Sequence, residues 1–159
     1  MKDLIQFIMT LLLAGLFLYT GLDKLTHYHD FQISLSRSPL FNHNTALLAA
    51  KSLPSFEILL SSALMIGLLL SPKFLRPGLI ASLSLLCLFT IYLIYMVSVD
   101  RHLPCSCGGV LSKMTWKQHI FFNLAFIAFN WVAIKLTFKG ENRIINKNNN
   151  AHFSRWLEL

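Results

Sequence analysis

Charge is what this sequence has least of. Only 13% of its 159 residues are Asp, Glu, Lys or Arg, about half the fraction usual in a soluble domain. That excludes a water-facing surface of ordinary composition. Acidic residues are the scarcer sign, 7 against 14 Lys and Arg, for a formal charge of +7. No basic cluster interleaves with aromatics as a single-strand groove requires. Nucleic acid is therefore excluded as a partner, and the excess is read as topology charge facing anionic lipid headgroups. A small-x-small cleavage site is missing after the first apolar run, and Leu16 stands where a lipoprotein box would place cysteine. That run is expected to stay in the mature protein as a helix. No internal repeat is present, and the length leaves no room for a second domain.

What is there is apolar. Hydrophobic residues make up 55% of the chain, Phe alone accounts for 13, and the mean hydropathy is +0.57. Four segments reach the roughly 20 residues needed to cross a bilayer. They lie at about 4–22, 54–71, 78–99 and 116–138. The fold class expected is all-α, a transmembrane four-helix bundle over residues 1–138. "PKFLRP" reads as a hairpin between the second and third helices. The segment at 23–53 is too apolar for a solvated linker and reads as a partly helical, interfacial loop. Within it, "NTALLAAKSL" forms a short helix capped by Asn44 or Thr45 and ending before Pro54. Residues 139–159 read as a polar, Asn-rich, mobile tail.

The Lys/Arg distribution sets the expected orientation. One side collects Lys2, Lys73, Arg76, Lys135, Lys139, Arg143, Lys147 and Arg155; the other collects Lys24, Arg37, Lys51, Arg101, Lys113 and Lys117. The denser first set places both termini in the cytoplasm. The long first loop and residues 100–115 then face the periplasm, which sustains disulfides.

The chemistry concentrates in "HLPCSCGGVLSKMTWKQH", residues 102–119. A bridge between Cys105 and Cys107 closes a small ring far from relaxed geometry, and such bridges are readily reduced. Pro104 stiffens the approach; Gly108 and Gly109 admit a partner backbone. Arg101, His102, Lys113 and the start of the fourth helix favour the attacking thiolate. The alternatives are Cu(I) or Zn capture by the two thiolates with His102 and His119, an inert structural loop, and cysteine lipidation. A closed zinc site usually takes four ligands, and only two thiols stand here. Cys87 lies mid-span, about 18 Å of helical rise below the loop, and reads as a small buried side chain.

Polar residues within the spans are costly and so mark interior faces. Thr115 and Gln118 fit a capping box that opens the fourth helix. His119, Asn123, Phe126 and Asn130 share one of its faces. His119 is either a proton acceptor for the thiols or a buried interhelical partner; Asn123 and Asn130 read as interhelical hydrogen-bond formers. Glu57 falls in the first turn of the second expected helix, where the helix dipole favours an anion; it reads either as the ion-pair partner of Lys24 or as a group that handles protons. His27, His29 and Asp30 form a metal-like cluster on paper, within a loop read as solvated or interfacial.

"GLFLYTGLDKLTHYHDFQISLSRSPLF", "LPSFEILL" and above all "CSCGG" followed by "TWKQHIFFN" resemble the MauE branch of the DoxX-like membrane proteins. The resemblance covers about residues 5–135. It implies a four-helix membrane bundle of the bacterial inner membrane that supports disulfide formation in periplasmic proteins beside a thioredoxin-like partner. It also implies Cys105 and Cys107 as the redox pair, with Glu57, His119 and Asn123 as motif positions. One cysteine pair stands here, where membrane disulfide generators of the DsbB or vitamin K epoxide reductase kind carry two. A membrane quinone near His119 is the candidate electron sink. A non-catalytic scaffold and a thiolate metal handler are the rival functions.

Overall fold

A computed structural model describes residues 2–70, 72–99 and 116–157, with side chains placed over 4–70, 74–99 and 117–139. The described residues form five helices: α1 Lys2–Thr26, α2 Tyr28–Ser36, α3 His43–Leu70, α4 Pro72–Val99 and α5 Trp116–Leu157. Stretches of α1, α3, α4 and α5 are long and apolar enough to cross a bilayer: Leu4–Thr26, His43–Leu70, Phe74–Val99 and Lys117–Lys139. The chain is a multi-pass, all-α membrane protein.

The four spans form a ring in which α1 packs on α3 and α5, and α4 packs on the same two helices. Contacts at its two ends fix the threading. At one end Gln6 near the start of α1 donates to Thr137 near the end of the α5 span (3.0 Å), and Gly67 of α3 meets Leu75 of α4. At the other, Ser38 of the α2–α3 connection donates to Met96 Sδ near the end of α4 (3.3 Å), and Phe41 meets Tyr92 edge-on. Successive spans therefore run antiparallel. The segment after α1, the last turn of α4 and the first turn of α5 belong to the same end.

Helices in lipid gain little from the hydrophobic effect and associate by close packing and hydrogen bonds. Both devices are present. A Cβ on Gly21 would lie 3.1 Å from the Pro54 carbonyl, and one on Gly67 would lie 2.7 Å from Leu75 Cα, so α3 approaches α1 and α4 where glycine leaves room. Ser61 Oγ donates to the Ala14 carbonyl across α1–α3 (2.7 Å), and Asn130 Nδ2 donates to Ser82 Oγ across α4–α5 (2.6 Å). Around these bonds, Leu13, Phe17, Leu64, Leu79 and Ala133 fill the interior. The outward-facing Leu, Ile and Phe side chains, such as Leu69 and Phe121, form the surface that lipid covers.

Three boundaries differ from the sequence expectation. Residues 43–53 do not form a separate helix: α3 runs unbroken through Pro54. Proline removes one backbone bond, to the Ala50 carbonyl, but neighbouring helices compensate for such losses in membrane spans. Pro54 is fully buried against such neighbours. Likewise α4 begins at Pro72, where a missing N–H costs nothing in a first turn, and continues through Pro77. Finally, α5 does not stop near residue 138 but extends over 42 residues to Leu157. No proline interrupts 139–157, and adding residues to an existing helix is far easier than starting one.

Candidate functional site

Lys24 sits near the end of α1, and its Nζ lies 2.5 Å from Glu57 Oε1 on α3. Both residues are buried, Glu57 completely. The pairing expected from sequence is present, but for a different reason. Because α3 starts at His43, Glu57 lies deep in the helix, beyond reach of the N-terminal dipole, which fades within the first turn. The ammonium is what balances it. That ammonium also lies 5.1 Å from the Phe89 ring centre and 5.8 Å from that of Phe31, within cation–π range. The Thr20 hydroxyl lies beside the carboxylate but donates to the Phe17 carbonyl at 3.4 Å. Glu57 Oε2 is left buried with no hydrogen-bond partner among the described residues.

The pair opens onto a cavity of about 240 Å³. Its polar contributions come from three helices: Thr20 and Lys24 of α1, Glu57 of α3, and His119 and Asn123 of α5. Its apolar wall is α4, through Leu85, Phe89 and Tyr92, and α2 roofs it with Phe31 and Leu35. The interior face expected for α5 is observed: His119, Asn123 and Asn130 are all buried. Asn130 serves the α4–α5 seam, whereas His119 and Asn123 reach the cavity. Leu88, 63% exposed on the outside of α4, also lines the cavity, which therefore extends to the lipid-facing surface.

Cys105, Cys107, His102 and the Thr115 cap lie outside the described residues. Their flanks do not: Val99 ends α4 and Trp116 opens α5, at the end of the bundle that holds the cavity. Cys87 is a free thiol, half-buried where a fully buried one is expected. Among the described residues no three His, Cys, Asp or Glu side chains converge as a metal site. His27 instead lies 3.5 Å from Asp23 Oδ1, with its side chain 56% exposed.

A family model described as methylamine utilisation protein MauE matches residues 2–136. The chain belongs to the MauE family. No curated protein and no solved structure matches it. The MauE match takes in three spans whole and the fourth up to residue 136, with every cavity residue and both loop cysteines, and it ends within α5. Thr20 and the aromatic wall are not marked out by sequence pattern. The one available signal is the Phe31–Leu35 spacing in α2, which puts two apolar side chains on one face of a short helix. Chemically, the arrangement offers a donor, an acceptor unmet among the described residues and aromatic surface in a mostly apolar space that reaches the lipid-facing side of α4.

Proposed function

We propose that this MauE-family protein exchanges a disulfide between Cys105 and Cys107 with periplasmic proteins, as part of the maturation of a disulfide-bearing protein used in methylamine utilisation. The membrane is the bacterial inner membrane, with both termini cytoplasmic. The partner is a thioredoxin-like protein or the client itself. The supporting observation is convergence: the segment carrying the two thiols joins α4 to α5 at the end of the bundle that holds the buried Lys24–Glu57 pair, His119 and Asn123.

The exchange needs no additional reactant. A partner thiolate attacks one sulfur of the Cys105–Cys107 bridge, the S–S bond breaks, and a mixed disulfide forms with one thiolate released. The partner's second thiolate then attacks that mixed bond. The partner leaves oxidised, and Cys105 and Cys107 are left as a dithiol. The positive residues Arg101, His102 and Lys113 flanking the pair favour the thiolate forms on which both steps depend.

The test is trapping in intact cells. Cys105→Ser or Cys107→Ser should each accumulate or abolish a mixed disulfide, and both thiols should label from the periplasmic side only. A Cys105→Ser/Cys107→Ser protein that still supports client maturation would show a scaffold. Stoichiometric Cu(I) or Zn lost on the same substitutions would show a metal handler.

A further inference from the structure

We infer that the cavity between α1, α3, α4 and α5 holds the ring of a membrane quinone, which accepts the electrons of the reduced cysteine pair. The source of those electrons rests on the thiol-exchange reading. The binding site stands on the cavity alone.

Size comes first. An apolar cavity of about 150 Å³ takes up benzene. The present one, about 240 Å³, has room for a substituted six-membered ring. Its composition suits a flat apolar body, since Phe31, Phe89 and Tyr92 line it and aromatic faces favour offset or edge packing. Leu88 both lines it and is exposed on the outer face of α4, so a long apolar tail can stay in the bilayer while the ring enters.

The polar groups narrow the class further. Lys24 offers N–H donors, and Glu57 Oε2 is a wholly buried acceptor without a hydrogen-bond partner among the described residues. Buried groups left in that state are costly, more so when charged, so each calls for an explanation. A lipid acyl chain would fill the space yet leave Oε2 unmet. A fatty carboxylate would meet Lys24 but set a second anion against Glu57. A quinone carbonyl accepts from Lys24, and the hydroquinone hydroxyl it becomes donates to Glu57 Oε2. One pair of side chains thus serves the ligand in both oxidation states. His119 and Asn123 offer further polar contacts from α5.

The redox step balances without another reactant. The Cys105–Cys107 dithiol loses two electrons and two protons and gains one S–S bond. The quinone gains the same two electrons and two protons and leaves as hydroquinone. The bridge is restored for the next partner, so one cysteine pair suffices provided the acceptor docks at the same end of the bundle.

The experiment uses the full chain in quinone-free phospholipid nanodiscs, an azido-benzoquinone photolabel and decylubiquinone as competitor. Label should map to the cavity-lining stretches of α1 and α4, yield to decylubiquinone and resist oleate. Lys24→Met/Glu57→Leu, which removes both charges together, should lower labelling at least about tenfold, the weight of one hydrogen bond to a charged group. Leu16→Trp, which fills the void, should lower it as well. Cys105→Ser/Cys107→Ser should label like the parent protein. Reduced protein mixed anaerobically with decylubiquinone should lose two thiols per hydroquinone formed. Unchanged labelling in both cavity variants, equal competition by oleate, label confined to outward residues such as Phe121, or no thiol loss would each overturn the assignment. Single-turnover exchange with a dithiol peptide keeps the two readings apart. In the parent protein, no cavity labelling with exchange intact removes the quinone site alone, whereas no exchange with labelling intact removes the thiol reading alone.

Discussion

Lys24→Met should destabilise this protein far more than Lys24→Met/Glu57→Leu does. The single change strips the counterion from a carboxylate that is 0% exposed. Removing one partner of a buried ion pair costs about 3–5 kcal/mol, whereas replacing both with apolar groups of similar volume is often neutral or stabilising. Glu57→Leu should fall between the two. It leaves an ammonium, but one that keeps the Phe89 and Phe31 rings and whose flexible stem, two residues from the end of α1, can carry the charge toward the interface. We expect its cost to be smaller than that of Lys24→Met by about 1–2 kcal/mol, the scale of a desolvated cation–π contact. Reversible unfolding in mixed micelles of the parent and the three variants gives the coupling energy directly. Single costs that sum to the double within about 0.5 kcal/mol, the additivity expected of independent sites, would refute the claim that the two charges hold each other in the bundle.

Further expectations concern the seams and the spare thiol. Gly67→Ala should destabilise by about 1–3 kcal/mol, the usual overpacking cost, because its Cβ would meet the Leu75 backbone at 2.7 and 2.9 Å. Gly15→Ala, with nothing within 4 Å, should instead be neutral or stabilising by up to about 1 kcal/mol through helix propensity; thermal unfolding compares the two. Ser82→Ala should cost more than Asn130→Leu. The first strands the amide of a fully buried Asn130 whose Oδ1 already lacks a partner among the described residues, while the second removes donor and unmet acceptor together. Asn130→Leu should stay near the roughly 0.6 kcal/mol average of interhelical bonds in membranes. Cys87→Ser should leave client oxidation at the parent level, measured by thiol labelling of the client.

Much of this was legible in the chain because lipid imposes simple rules. A polar side chain in a span must face inward, and that alone placed His119, Asn123 and Asn130 on the interior face of α5. Lys24 and Glu57 could be paired because each is expensive unless matched. The helix ends were less legible. Pro54 and Pro77 are strong stops in an isolated chain, but within α3 and α4 the neighbouring helices hold the backbone in place. The asparagines near residue 149 suggest a loose tail, yet the ladder of α5 was already under way and continued to Leu157. The cavity could not be read at all. A void depends on where four helices fail to touch, and no residue type encodes that by itself. Even so, four of its polar members are residues that stand out as costly in the sequence.

A cavity that reaches the lipid-facing side of α4 at Leu88 changes what concentration means for this protein. A ligand arriving there is drawn from the acyl phase, where a molecule with a long tail is thousands of times denser than in the surrounding buffer. Half-saturation quoted per litre of water will drift with the amount of vesicle in the tube. Quoted as mole per cent of lipid, it should hold steady from one preparation to the next.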